Sequence, residues 1–324
     1  MGLAICGVVL ALGCKSGDTQ QKSEGQPPFM SAVAGTTPPA IAPADQAPPA
    51  STTDGFDGMK AYDQVLKQVS FGPRPAGSAA LGKLQDYLVV ELKSYGCPVD
   101  TDSFSADTPA GRLPMKNIVA KLPGKQQGII LLATHYDTKR LDNFVGADDA
   151  GSSTGVMLEI ARLLCAQKEP EKYAVWIAFF DGEEAVNLQW QDPDNRYGSR
   201  QLAAQMAASG DLKKIKVMLL ADLVGNKNLR LMREQDSTKS FTDLVWKTGQ
   251  RLGYGSVFVD QETPISDDHL SFLSRGVPAV DVINLETSAG YWHTPQDTPD
   301  KLSPKSLAIV GHTLLETVKE LQRE

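Results

Sequence analysis

Residues 173–185 read YAVWIAFFDGEEA. An apolar run, rich in aromatic residues, ends abruptly in Asp181, Gly182, Glu183 and Glu184. A continuous run of this length, closed by glycine and charge, suits a strand covered on both faces. The acids that follow are harder to place. Three carboxylates in four residues behind a buried strand raise one another's pKa unless a cation sits among them.

Two neighbouring runs repeat the pattern. Residues 128–134 end at His135, and residues 215–221 end at Asp222. A fourth strand over 278–283 precedes the loop to His293. A helix is expected over 152–167, with Val156, Ile160 and Leu163/Leu164 on one face. Upstream, a helix around 57–69 leads into the stiff turn Phe71-Gly72-Pro73-Arg74-Pro75. Ser78 then caps a helix carrying Leu81, Leu84, Leu88 and Leu92, stopped by Gly96. A strand over 117–122 follows. Ser303-Pro304 opens the last helix, which carries Leu307, Val310, Leu314 and Val318. Strands alternating with helices predict an α/β fold with a mostly parallel sheet. The metal-capable residues fall just past the strands' C-terminal ends, the edge where such sheets bind ligands.

The chain has 324 residues. Residues 2–13 are nearly all apolar or small, too short a stretch for a membrane span of about 20 residues. Leu10-Ala11-Leu12-Gly13-Cys14 resembles a bacterial lipobox, so 1–14 is expected to act as a signal peptide and Cys14 to carry lipid. Residues 15–55 are rich in Pro, Ala, Gln, Ser, Gly and Thr, and are expected to form a disordered tether. The remaining residues, 56–324, are enough for a single catalytic domain with a buried core. The predicted location is exported, in the cell envelope and held at the membrane through Cys14. A net charge of −7 without a basic stripe excludes a nucleic-acid partner. A monomer is expected, because no long amphipathic seam remains once the core helices are counted. Cys97 and Cys165 are far apart and in no CxxC arrangement; a disulfide in an oxidising compartment and two buried thiols are both open.

The chemistry gathers in a few segments. His135-Tyr136-Asp137 places a carboxylate where it can orient the imidazole. Gly146-Ala147-Asp148-Asp149 opens a helix through a tight turn. Ser266-Asp267-Asp268-His269 and Trp292-His293-Thr294 complete the set. Of four histidines three lie in these segments, and His312 falls in the last helix, where a surface or core role is expected. Mixed His/Asp/Glu donors without cysteine fit catalytic zinc better than a closed structural site.

HYDTK, FVGADDAGS, FFDGEEA with YGSRQLA, DDHLSFLSRGVP and WHT, in that order, resemble the zinc-aminopeptidase superfamily. The doubled Asp267-Asp268 and Trp292-His293 resemble its glutaminyl-peptide cyclotransferases, over nearly all of the chain from about residue 60. The resemblance implies a three-layer αβα fold with a mixed, mostly parallel central sheet. It implies zinc on Asp149, Glu184 and His293, a proton shuttle at Glu183, and substrate amine and acid–base roles for Asp222 and Asp267. Trp292, Trp190 and Asp268 are expected at the substrate pocket, with core packing the alternative for Trp190. The aminopeptidases hold a second ion on the positions of His135 and Asp222, and both one-ion and two-ion sites stay open. The expected reaction closes N-terminal glutamine of peptides or proteins into pyroglutamate with release of ammonia; the alternative is a two-zinc aminopeptidase. A binding protein on a degenerate enzyme fold would require a lost ligand or a lost Glu183, and none is missing. Three departures stand out. Thr134 and Thr154 replace the cysteine pair of the animal cyclases, Asp281 replaces a histidine, and Ser266 replaces a glutamine.

Overall fold

The computed structural model describes residues 40–323. The expected signal peptide, Cys14 and the expected tether as far as residue 39 lie outside the described residues. The central sheet has six strands in the order β1-β2-β4-β3-β5-β8. These are β1 (Val99–Thr108), β2 (Gly111–Leu122), β3 (Ile129–His135), β4 (Ala174–Phe180), β5 (Ile215–Asp222) and β8 (Ala279–Ile283). β4, β3, β5 and β8 run parallel, and β2 and β1 add antiparallel to the β4 edge. Every residue of β3 and β8 is buried, as a sheet covered on both faces requires, and in β8 this includes the carboxylate of Asp281.

Helices cover both faces. On one side lie α1 (Gly58–Val69), α3 (Gly151–Cys165) and α8 (Pro304–Arg323), packed on one another. A Cβ on Gly155 would stand 2.5 Å from the Ala61 carbonyl, so glycine is what lets α1 and α3 approach this closely. On the other side are α4 (Tyr197–Ser209) and the short α6 (His269–Leu273). There Leu202, Met206 and Phe272 join Leu131, Ala133, Phe180 and Leu220 in one core. The caps match expectation: Ser78 Oγ accepts from Leu81 N at 3.1 Å and opens α2 (Ala79–Ser94). Ser303 Oγ accepts from Lys305 N at 3.2 Å at the start of α8.

Some elements gave no signal in the sequence. β1 is a largely polar edge strand, held by pairing with β2, and β2 starts at Gly111 instead of 117. A separate two-stranded parallel sheet joins β6 (Leu231–Glu234) to β7 (Phe258–Thr263), flanking α5 (Lys239–Arg251). The tether expected to run to residue 55 stops earlier. Pro43–Asp45 and Ala50–Thr52 form 3₁₀ turns, and Ser303 Oγ donates to the Asp45 carbonyl at 3.0 Å. Proline here fixes an extended backbone that docks on the body at little further entropic cost. Cys97 and Cys165 form a disulfide, which ties the end of α3 to the chain just after α2.

Candidate active site

The parallel strands deliver their chemistry at one edge. His135 ends β3, Asp181 follows β4 and Asp222 ends β5. Asp149 stands just before α3, and the 284–293 segment after β8 brings in His293. The turn before α3 depends on Gly146, with φ +50°, where a Cβ would lie 1.9 Å from the Asp149 carbonyl oxygen. Asp297 pins the same turn from across the molecule, its carboxylate accepting from Asp148 N at 2.8 Å and Asp149 N at 3.1 Å.

Asp149, Glu184 and His293 converge. His293 Nε2 lies 3.1 Å from Glu184 Oε1 and 3.4 Å from Asp149 Oδ2. Two ligands about 2.0–2.1 Å from a tetrahedral zinc stand about 3.3 Å apart, so these separations fit one ion. Asp149 Oδ2 and Glu184 Oε2 are buried and accept no hydrogen bond, a state a cation would relieve. Among the described residues the buried ammonium beside them is Lys139, whose Nζ donates to the Ala185 carbonyl at 2.6 Å and lies 3.7 Å from Glu184 Oε2. His293 has φ +53°, a left-handed backbone rare outside glycine and typical of strained functional positions. Trp292 stacks on its ring with centroids 3.9 Å apart, and Phe144 meets it edge-on at 5.9 Å. Burial works against charge on His293, but Glu184 and Asp149 outweigh it and push the imidazole up to about 10 in the absence of an ion.

A second triad shares Asp149. His135 Nε2 lies 3.2 Å from Asp149 Oδ1 and 3.1 Å from Asp222 Oδ1. The His135 main chain is fastened by Thr154 Oγ1, which donates to its carbonyl at 2.8 Å. Thr134 Oγ1 donates to Ser153 Oγ at 2.7 Å, so hydroxyls tie β3 to α3. Burial pushes Asp222 up to about 7, opposed by His135 and reinforced by Asp149 and Asp267.

Glu183, next to Glu184, opens on the same cavity of about 210 Å³. Asp149, Glu184, Asp222, Asp267 and His293 share its floor, and Trp190, Trp292, Leu223, Ile265, Ile283 and Leu285 form apolar walls. Burial raises the Glu183 carboxyl well above the usual range, with Glu184, Asp267 and Asp268 adding to it and His135 opposing. Trp190 lines the cavity instead of packing into the core, and its indole nitrogen has no hydrogen-bond partner.

Three expected placements change. Asp268 is wholly buried and does not line the cavity, because it occupies the N-cap position of α6 with its side chain turned inward. Asp181 also leaves the site: its carboxylate accepts from Lys116 N at 2.8 Å and Gln85 Nε2 at 2.8 Å, bracing β2 and α2. Asp137 stands 3.6 Å from His135 Nδ1, too far for a hydrogen bond. It accepts instead from Glu183 N at 3.0 Å and Glu184 N at 3.4 Å, fixing that turn. Behind Asp267 lies a buried group in which His269 and Asp281 meet Glu234, a residue that carries no signal in the sequence. His269 Nε2 is 3.0 Å from Glu234 Oε2, and its Nδ1 is 3.7 Å from Asp281 Oδ2. Glu234 and Asp297 had no signal to find them by, since each is a lone acid in a short strand or a turn. His312 is satisfied in the core, its Nδ1 2.9 Å from Tyr254 Oη.

Comparison with known proteins agrees with this arrangement. Residues 117–318 match Peptidase family M28. The chain is 30% identical over 287 residues to the glutaminyl-peptide cyclotransferase of Drosophila melanogaster, covering 80% of this chain and 79% of that protein. The crystal structure of a glutaminyl cyclase from an Acidobacteriales bacterium superposes with a TM-score of 0.78 at 36% identity, covering 89% of this chain and 99% of the other. That of Porphyromonas gingivalis glutaminyl cyclase gives 0.76 at 33%, covering 82% and 99%.

Proposed function

The chain belongs to peptidase family M28 and to its glutaminyl-peptide cyclotransferase group, and from that we propose that it converts N-terminal glutamine of peptides into pyroglutamate with release of ammonia. The family is zinc-dependent, and the Asp149, Glu184 and His293 donors suit a zinc ion. When bound, that ion supplies Lewis-acid polarisation of the amide carbonyl. In the reaction the α-amine nitrogen bonds to the side-chain amide carbon, the bond from that carbon to its amide nitrogen breaks, and ammonia leaves. One proton must pass from the attacking amine to the departing nitrogen. We assign that transfer to Glu183, whose place on the cavity floor and raised proton affinity support it. Asp222 and Asp267, on the same floor, would hold the amine in line. The walls are apolar and the cavity suits little more than one side chain, which favours a reaction that consumes no water.

The observation that carries this reading is the meeting of three donors and Glu183 in one small, apolar-walled cavity. Incubation with a Gln-initiated peptide tests it: one ammonia and a product lighter by that mass are expected, with one zinc per chain by metal analysis. Hydrolysis of ordinary N-terminal residues with two zincs would select the other reading, a two-ion aminopeptidase. The His135–Asp149–Asp222 triad favours that alternative, because its donors also stand at ligand-to-ligand spacing. We further place the enzyme outside the cytosol, a reading the Cys97–Cys165 disulfide supports.

A further inference from the structure

Arg74, in the stiff turn after α1, is among the largest fully buried side chains. Among the described residues no carboxylate lies within ion-pair distance of it. The two terminal nitrogens of its guanidinium are spent on carbonyls, while Nε has no partner: Nη1 donates to Gln68 at 3.2 Å, Gly72 at 2.9 Å and Val145 at 2.8 Å, and Nη2 to Gly146 at 3.3 Å. Its main chain is locked to the loop after β3. Arg74 N donates to Thr138 Oγ1 at 2.9 Å, and Thr138 N donates to the Arg74 carbonyl at 3.1 Å. One residue therefore joins the segment that carries His135, Asp137 and Lys139 to the turn that carries Asp148 and Asp149.

A buried cation without a paired anion costs several kcal/mol, and apolar replacements of buried ions are often neutral or stabilising. Stability alone gives little reason for a guanidinium here. Burial lowers its pKa to about 10, and the charges that hold it up belong to Asp297, Asp137 and Asp149. Asp297 and Asp137 are the carboxylates that fix the main chain of Asp149, Glu183 and Glu184, and Asp149 is a ligand itself. Apart from Gly72 in its own turn and Gln68 at the end of α1, every interaction of Arg74 thus ends on the ligand-bearing loops or on the groups that shape them.

We propose that Arg74 is a positioning residue for the metal site: its fork holds the 145–149 turn to a main chain that is itself locked to the 135–139 loop, and so sets Asp149 for ligation before an ion arrives. The proposal rests on the zinc reading above. Lysine could keep the charge but not the planar fork.

The test is zinc affinity, measured by competition with a colorimetric chelator on wild type, Arg74→Met and Arg74→Lys, with melting of the zinc-free proteins followed in parallel. The expected result is a loss of about 10- to 100-fold in zinc affinity for Arg74→Met, as when groups supporting metal ligands are removed. Arg74→Lys should recover only part of it. Zinc-free proteins should still melt cooperatively, and at saturating zinc kcat should fall while KM for a Gln-initiated peptide changes less than about threefold. Wild-type zinc affinity in a folded variant would overturn the proposal. So would failure of both variants to fold, which would assign Arg74 to the fold. If the wild type itself binds no zinc, the zinc reading of the site fails and the role given to Arg74 falls with it, an outcome distinct from loss in the variants alone.

Discussion

Glu183 and Glu184 are chain neighbours to which we give opposite tasks as a proposal, and their main-chain amides share one acceptor, Asp137. That turn sends Glu184 toward His293 and leaves Glu183 with a raised proton affinity on the cavity floor. Glu183→Gln removes the exchangeable proton while keeping shape and size. Its kcat is expected to fall about 10²- to 10⁴-fold, the usual share of acid–base catalysis, with zinc content unchanged by metal analysis. Retained turnover would reassign the proton transfer. Acids such as Asp181 and Asp268 look identical in the sequence, yet they point into braces and core. Composition cannot separate these cases, because the direction of a side chain after a strand depends on which neighbour supplies the donors.

At the level of elements, β3, β4, β5 and β8 were readable because burial on both faces favours mostly apolar runs, with Lys216 inside β5 and Asp281 inside β8 the charged exceptions. β1 was not, since one edge strand with half its residues exposed carries no such demand. The Cys97–Cys165 bond joins α2's exit to the end of α3 across 68 residues. A closed loop of that length restricts the unfolded chain, so the Cys97→Ala/Cys165→Ala pair is expected to lose about 2–5 kcal/mol in denaturant unfolding. Wild-type protein from the cell envelope should show neither thiol free, and protein kept in a reducing cytosol should show both with the same loss of stability. Free thiols in the exported protein would remove the support for that location.

In the molecule as a whole, residues 40–55 belong to the folded body and not to a tether. Asp45 meets Ser303 and, at 3.8 Å, Lys227, while Asp54 pairs with Lys319 of α8. A chain beginning at 56 should therefore melt below one beginning at 40, by about 2–4 °C for each kcal/mol of docking lost. Equal melting temperatures would return the boundary to residue 56. The local order of apolar runs, caps and acids fixed the α/β class, the functional sheet edge and the zinc-capable residues, because these follow from periodicity and charge along the chain. Which of the clustered carboxylates converge on His293, that Arg74 and Asp297 hold the turn before α3, and that Cys97 meets Cys165 were set by folding. Those relations join residues distant in sequence, and no local pattern encodes the distance between them.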